Sequence, residues 1–168
     1  SRLGMFGKVE RNTHVTGDFW VIDSDNKKAM EKSCNLAYEV ISKYLQIFEE
    51  TCDNWDIDIA KDEGAFMMTN QGISAILLVM GDLIDEYSRA NKVKPRDYNA
   101  EDIIGWITSW MSPMIEYINS ADVNKLIELR SKYGLQGQTE IKYILEGEIH
   151  KACPDFNPKG LKKELEKL

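Results

Sequence analysis

Histidine is nearly missing from this chain: His14 and His150 are the only two in 168 residues. A Ser-His-Asp or Cys-His catalytic site would have to use one of them. Cysteine is also sparse. Cys34, Cys52 and Cys153 form no C-x-x-C pair, and any disulfide would leave one thiol over. Reduced thiols in a cytosol are therefore expected, with small buried apolar side chains as their role. Long apolar runs are lacking too. Residues 73–84 form the longest, broken by Ser74, Gly81 and Asp82, far from the roughly 18 apolar residues of a membrane span. The chain opens on Ser1-Arg2-Leu3 without a signal-peptide pattern. A start without methionine suggests a processed product or a fragment of a longer protein.

What is present is ordinary for a globular domain: 43% hydrophobic and 29% charged residues. At this length one domain with a real core is expected. A net charge of −7 argues against a surface built mainly to hold nucleic acid, because phosphate binding needs clustered Lys and Arg. The charge is uneven. Residues 49–63 carry seven acids and one lysine, while Arg89, Lys92, Lys94 and Arg96 fall in eight residues without an acid. Both stretches read first as solvated connections. The sharper readings are an acidic metal loop and a local phosphate contact.

Periodicity predicts mainly helix. Residues 1–22 look irregular or β-prone, with Val15 to Ile22 as one β-prone run and Val9 in a weak partner strand around Arg11-Asn12-Thr13-His14. Residues 23–168 are expected to form a single helical domain. A first helix over about 25–53, capped by Asp23 or Ser24, has Met30, Cys34, Ala37, Ile41, Leu45 and Phe48 at three- and four-residue steps. Tyr38, Tyr44 and Cys52 widen that expected buried face. Thr69 or Asn70 caps a second helix over about 70–91, with Ile73, Ile76, Leu77, Met80, Leu83, Ile84 and Tyr87 as its stripe. A third helix starts at Asn99 and carries Pro113, expected to kink it. A fourth starts at Ser120 and stops at Gly134. A fifth covers about 138–152, and Asn157-Pro158 opens a short last one. The fold class is thus mainly α: a bundle of five or six helices with at most a small N-terminal β-hairpin. Leu45, Phe48, Ile76, Leu77, Met80, Ile107, Trp110 and Ile118 are the expected core.

No candidate site is complete. His150 and Cys153 can share a helix face, but no second ligand pair accompanies them. Asp53, Asp56, Asp58 and Asp62 lack the ordered glycine and final acid of a calcium loop, and Trp55, Ile57 and Ile59 between them favour burial. Gly134-x-x-Gly137 lacks the Gly-Lys-Ser/Thr ending of a phosphate loop. Trp106, Trp110 and Tyr117 follow helical spacing and read as core packing before base stacking. No metal or cofactor is expected, and no catalytic residue is assigned.

The order of several elements carries a resemblance. These are the long helix through Tyr44-Leu45 and Phe48, the Trp55 segment, the Thr69-Asn70-Gln71-Gly72-Ile73 helix start, and the tail from Tyr133 to Pro158. Within the tail, Tyr143, Leu145, Ile149, Phe156 and Pro158 follow a glycine turn. Residues 25–160 resemble the C-terminal part of DGQHR-domain proteins, relatives of the repressor associated with bacterial DNA phosphorothioation. The name-giving Asp-Gly-Gln-His-Arg motif is absent from the chain. The resemblance implies a cytoplasmic bacterial or phage protein linked to DNA modification, defence or mobile elements. It implies a non-catalytic module that packs on an N-terminal domain of the same protein and meets DNA through it. A protein partner or self-association is equally compatible, and no membrane contact is expected. The alternative is part of a metal-dependent nuclease or DNA-processing enzyme completed by residues outside this chain. Arg89, Lys92, Lys94 and Arg96 are the candidate nucleic-acid contacts.

Overall fold

A computed structural model describes residues 19–55 and 65–166, together with the backbone of residues 8–9 and 15–16. Six helices follow one another: α1 (Asn26–Thr51), α2 (Asn70–Asn91), α3 (Ala100–Ser120), α4 (Val123–Arg130), α5 (Gly134–Ala152) and α6 (Leu161–Leu165). A 3₁₀ turn, Pro95–Asp97, joins α2 to α3. The mainly helical bundle expected from periodicity is what forms. Near the N-terminus, β1 (Lys8–Val9) pairs antiparallel with β2 (Val15–Thr16), Lys8 opposite Thr16 and Val9 opposite Val15. The turn residues between them lie outside the described residues.

The first four helices start where a short polar side chain satisfies exposed N–H groups, while α5 starts after Tyr133 without a side-chain cap. Asp25, rather than Asp23 or Ser24, caps α1 by accepting from the amides of Lys27 and Lys28. Asp23 instead accepts from the Asp25 amide at 3.0 Å and pairs with Lys32 at 2.8 Å. Thr69 caps α2 through Gly72 N–H, Asn99 caps α3 through Asp102 N–H, and Asp122 caps α4 through Lys125 N–H. With this cap made, the fourth helix begins at Val123, three residues beyond the expected start at Ser120. Gly134 does not stop α4. With φ +70° it turns the chain and opens α5, one turn earlier than periodicity suggested. Pro113 withdraws one backbone donor, yet α3 continues from Ala100 to Ser120.

Packing centres on α3, which touches α1, α2 and α5, while α2 and α5 also pack on each other. Phe48, Ile76, Met80, Ile107 and Ile118 are fully buried; Leu45, Leu77 and Trp110 pack against the core from partly buried positions. Gly72 is required by a close approach: a Cβ there would stand 2.2 Å from the Phe66 carbonyl oxygen. The C-terminal segment is part of the core. Phe156 is buried against Trp110 with ring centroids 5.6 Å apart, and Leu161 is buried after it. Leu145, Ile149, Phe156 and Pro158, which carry much of the family resemblance, are all buried packing residues.

The buried face of α1 differs from expectation. Ala29, Ser33, Ala37, Val40, Tyr44 and Phe48 point inward. Met30 and Tyr38 are 54% and 73% exposed, and Cys34 is exposed. The helix is turned so that small side chains meet the bundle in its N-terminal half. Tyr44 then anchors the other half, its hydroxyl donating to the Ile76 carbonyl at 2.8 Å.

Candidate functional site

The rotation of α1 leaves an apolar stripe that no side chain covers among the described residues. Phe19, Trp20 and the N-terminal half of α1 enclose a groove of about 390 Å³, lined also by Cys34, Ala37, Tyr38 and Ile41. One wall is the extended segment leading into α1. It is fixed by Val21 N–H donating to Ser33 Oγ at 2.9 Å, while Ser33 Oγ donates to the Ala29 carbonyl at 2.6 Å. The Asp23–Lys32 pair holds the segment further along. The salt link holds the Asp23 carboxyl below its ordinary range and raises the Lys32 ammonium. Met30 and Ile22, the latter 77% exposed, extend the apolar surface beyond the groove. Single exposed apolar side chains are normal, whereas a contiguous set is a feature of interaction surfaces and ligand-binding grooves.

A second constellation lies inside the bundle. Lys142 on α5 pairs with Asp82 on α2, and its ammonium stands 3.1 Å from Glu146 Oε1 one turn along α5. Glu146 is fully buried. Burial first, then the neighbouring Asp82 carboxyl, pushes its carboxyl up to about 9. A proton on Glu146 leaves one cation and one anion in the cluster, so no net charge is buried. Lys142 also lies 4.5 Å from the Tyr143 ring centroid. The Lys142 ammonium is held up by its two acidic neighbours against the opposing effect of its own burial. Perturbed acids occur at active sites and in structural ion networks alike. Here the groups join α2 to α5 within the packed bundle, which is the arrangement of a structural clamp.

The four candidate DNA-contacting bases differ in their surroundings. Arg89 forms an ion pair with Glu86, a residue itself buried. Burial raises the Glu86 carboxyl while Arg89 opposes that rise. Lys92 ends α2 in a left-handed conformation with φ 56°, and it and Lys94 are exposed; Arg96 is half-buried. Beside them the aromatic rings already face one another. Tyr87 stacks on Trp106 at 4.9 Å, and Tyr98 meets the same indole edge-on at 4.8 Å. Trp106, Trp110 and Tyr117 thus all pack against the core, as expected, and Tyr117 also lines a shallow groove with Pro113, Glu116, Glu148 and Lys151.

His150 and Cys153 do not combine as ligands. The His150 ring uses Nδ1 against the Phe156 carbonyl at 2.7 Å, tying the end of α5 to the tail. Among the described residues, no group of three or more His, Cys, Asp or Glu side chains is arranged to hold a metal ion. Asp53 is exposed at the end of α1; Asp56, Asp58 and Asp62 lie outside the described residues. Among the described residues no helix is long and apolar enough to cross a membrane. No protein-family model, curated protein or solved structure matches the chain.

Proposed function

We propose that this chain is a non-catalytic helical module of a DGQHR-like protein linked to bacterial DNA modification, defence or mobile elements, and that its task is assembly. The observation that carries the assembly role is the apolar groove on α1, open among the described residues, with Tyr38 73% exposed at its edge. Covering such a surface is favourable at roughly 25 cal/mol per Å² of apolar area removed from water. The DNA-modification link rests on the order of the sequence features alone. In that setting the protein's N-terminal domain reads DNA and this module holds the assembled form. Lys92, Lys94 and Arg96 then add a local phosphate contact, with Arg89 weakened by its pairing to Glu86.

The test uses the full natural protein. Tyr38→Glu places a charge on the exposed edge of the groove without touching the core. The expected result is a smaller native mass by light scattering, with an unchanged thermal midpoint. An assembled mass equal to that of the wild type would remove the α1 face from any role in assembly.

A further inference from the structure

Resting on the assembly reading, we infer that the occupant of the α1 groove is the exposed α1 face of a second copy of this chain, the two helices crossing antiparallel about a twofold axis near Tyr38. The helix itself supplies the argument. Lys27, Tyr38 and Glu49 are spaced eleven residues apart on α1. Eleven residues are close to three full turns, so all three share one face. Met30, Cys34, Ile41 and Leu45 lie along the same side, between the two charges. The face therefore has an apolar middle edged by Glu31, a cation at its N-terminal end and an anion at its C-terminal end.

Rotation about a twofold axis at Tyr38 brings Lys27 of one copy opposite Glu49 of the other, and the reverse at the far end. The two ends stand about 33 Å apart along the axis, so both pairs form at the rim of one continuous contact. A twofold interface must be self-complementary, and this stripe is. The same rotation sets no like charges opposite one another: Glu31 falls opposite Leu45, and Lys43 lies toward the bundle side with Glu101. Other charges along α1 are already used within the chain. Lys32 pairs with Asp23 and Lys43 with Glu101. Lys27 and Glu49 are exposed and have no ion pair among the described residues. A parallel arrangement would instead place lysine beside lysine and glutamate beside glutamate at the two rims. Rim charges of this kind set register and orientation, while the apolar centre supplies the affinity.

Sedimentation velocity over a concentration series tests the inference. The chain should form a dimer. Lys27→Glu alone and Glu49→Lys alone should each weaken it about tenfold, since each turns two attractive rim pairs into repulsive ones. The combined Lys27→Glu and Glu49→Lys chain should recover the wild-type constant. Tyr38→Glu should give a monomer with an unchanged thermal midpoint. A chain that stays monomeric throughout overturns the inference. So does failure of the double exchange to restore the dimer, because the antiparallel register would then be wrong. If the chain is monomeric while Tyr38→Glu still reduces the native mass of the full protein, a different surface covers the groove. In that case the second copy is refuted and the assembly role stands.

Discussion

Replacing Glu146 by glutamine should remove a large part of this protein's loss of stability at high pH. The carboxyl is fully buried and pushed up to about 9 from an ordinary 4.5. The folded chain then holds a proton that the unfolded chain has released over that window. Stability is linked to the difference in bound protons, so it falls as pH rises wherever the folded state binds more. The loss begins as pH passes 4.5, the unfolded value, and ends above about 9, the folded one. Each pH unit inside the window removes about 1.4 kcal/mol, giving a ceiling of about 6 kcal/mol for the whole span. Local opening and water entry around an ionised Glu146 bring the measured figure below that ceiling. Glutamine copies the shape of the protonated acid, keeps a donor toward Asp82 and keeps an oxygen near Lys142, and it does not titrate. Glu86, raised in the same direction, and Asp23, Glu128 and Glu140, lowered, contribute equally to both proteins. The difference between variant and wild type therefore isolates position 146. Urea unfolding at pH 5, 7 and 9 provides the assay. The two proteins should be close at pH 5, and the glutamine variant should lead by several kcal/mol at pH 9. Identical pH slopes would show that Glu146 is ionised in the folded state and refute the neutral-cluster account.

The other expectations are quick to check by the same unfolding measurements or by binding. Gly72→Ala should cost about 2–3 kcal/mol because its Cβ meets the Phe66 carbonyl oxygen at 2.2 Å. Gly105→Ala, whose Cβ meets nothing within 4 Å inside α3, should instead stabilise by about 0.5–1 kcal/mol. Phe156→Ala should cost about 3–5 kcal/mol; a loss within error would mean that the tail is not part of the core. In the full protein, changing Arg89, Lys92, Lys94 and Arg96 to Ala should lower the salt slope of DNA binding by about 3, at roughly 0.9 per phosphate contact with Arg89 held by Glu86. An unchanged slope and affinity would eliminate that patch.

The helices were legible because their start signals and stripes are strong. Thr69 and Asn99 are short polar residues directly ahead of apolar periodicity, and α2 and α3 begin at those caps. Gly134 misled because a glycine between two helical stretches serves equally as an end or a beginning; only its positive φ within α5 decides. The α1 face misled for a different reason. Apolar residues cover more than half of that helix's circumference, so periodicity gives the stripe without saying which edge meets the bundle. The small Ala29, Ser33 and Ala37 permit close packing and win the inner side; the larger Met30 and Tyr38 fall outside. That rotation is the origin of the groove, so the candidate surface was hidden by the same ambiguity. The Asp82–Lys142–Glu146 cluster had a weak sequence signal. Asp82 interrupts the most apolar stretch, and Lys142 and Glu146 are one turn apart, but their meeting depends on α2 packing against α5.

The most direct measurement of the central claim is the alkylation rate of Cys34 in the full natural protein. Its thiol lines the α1 groove and is exposed in this chain, whereas Cys52 is buried with its thiol pushed up to about 12 by burial. If α1 is an assembly face, Cys34 reacts slowly in the wild type and at the rate of an open thiol once Tyr38→Glu dissolves the contact. Equal rapid rates in both proteins would contradict the account.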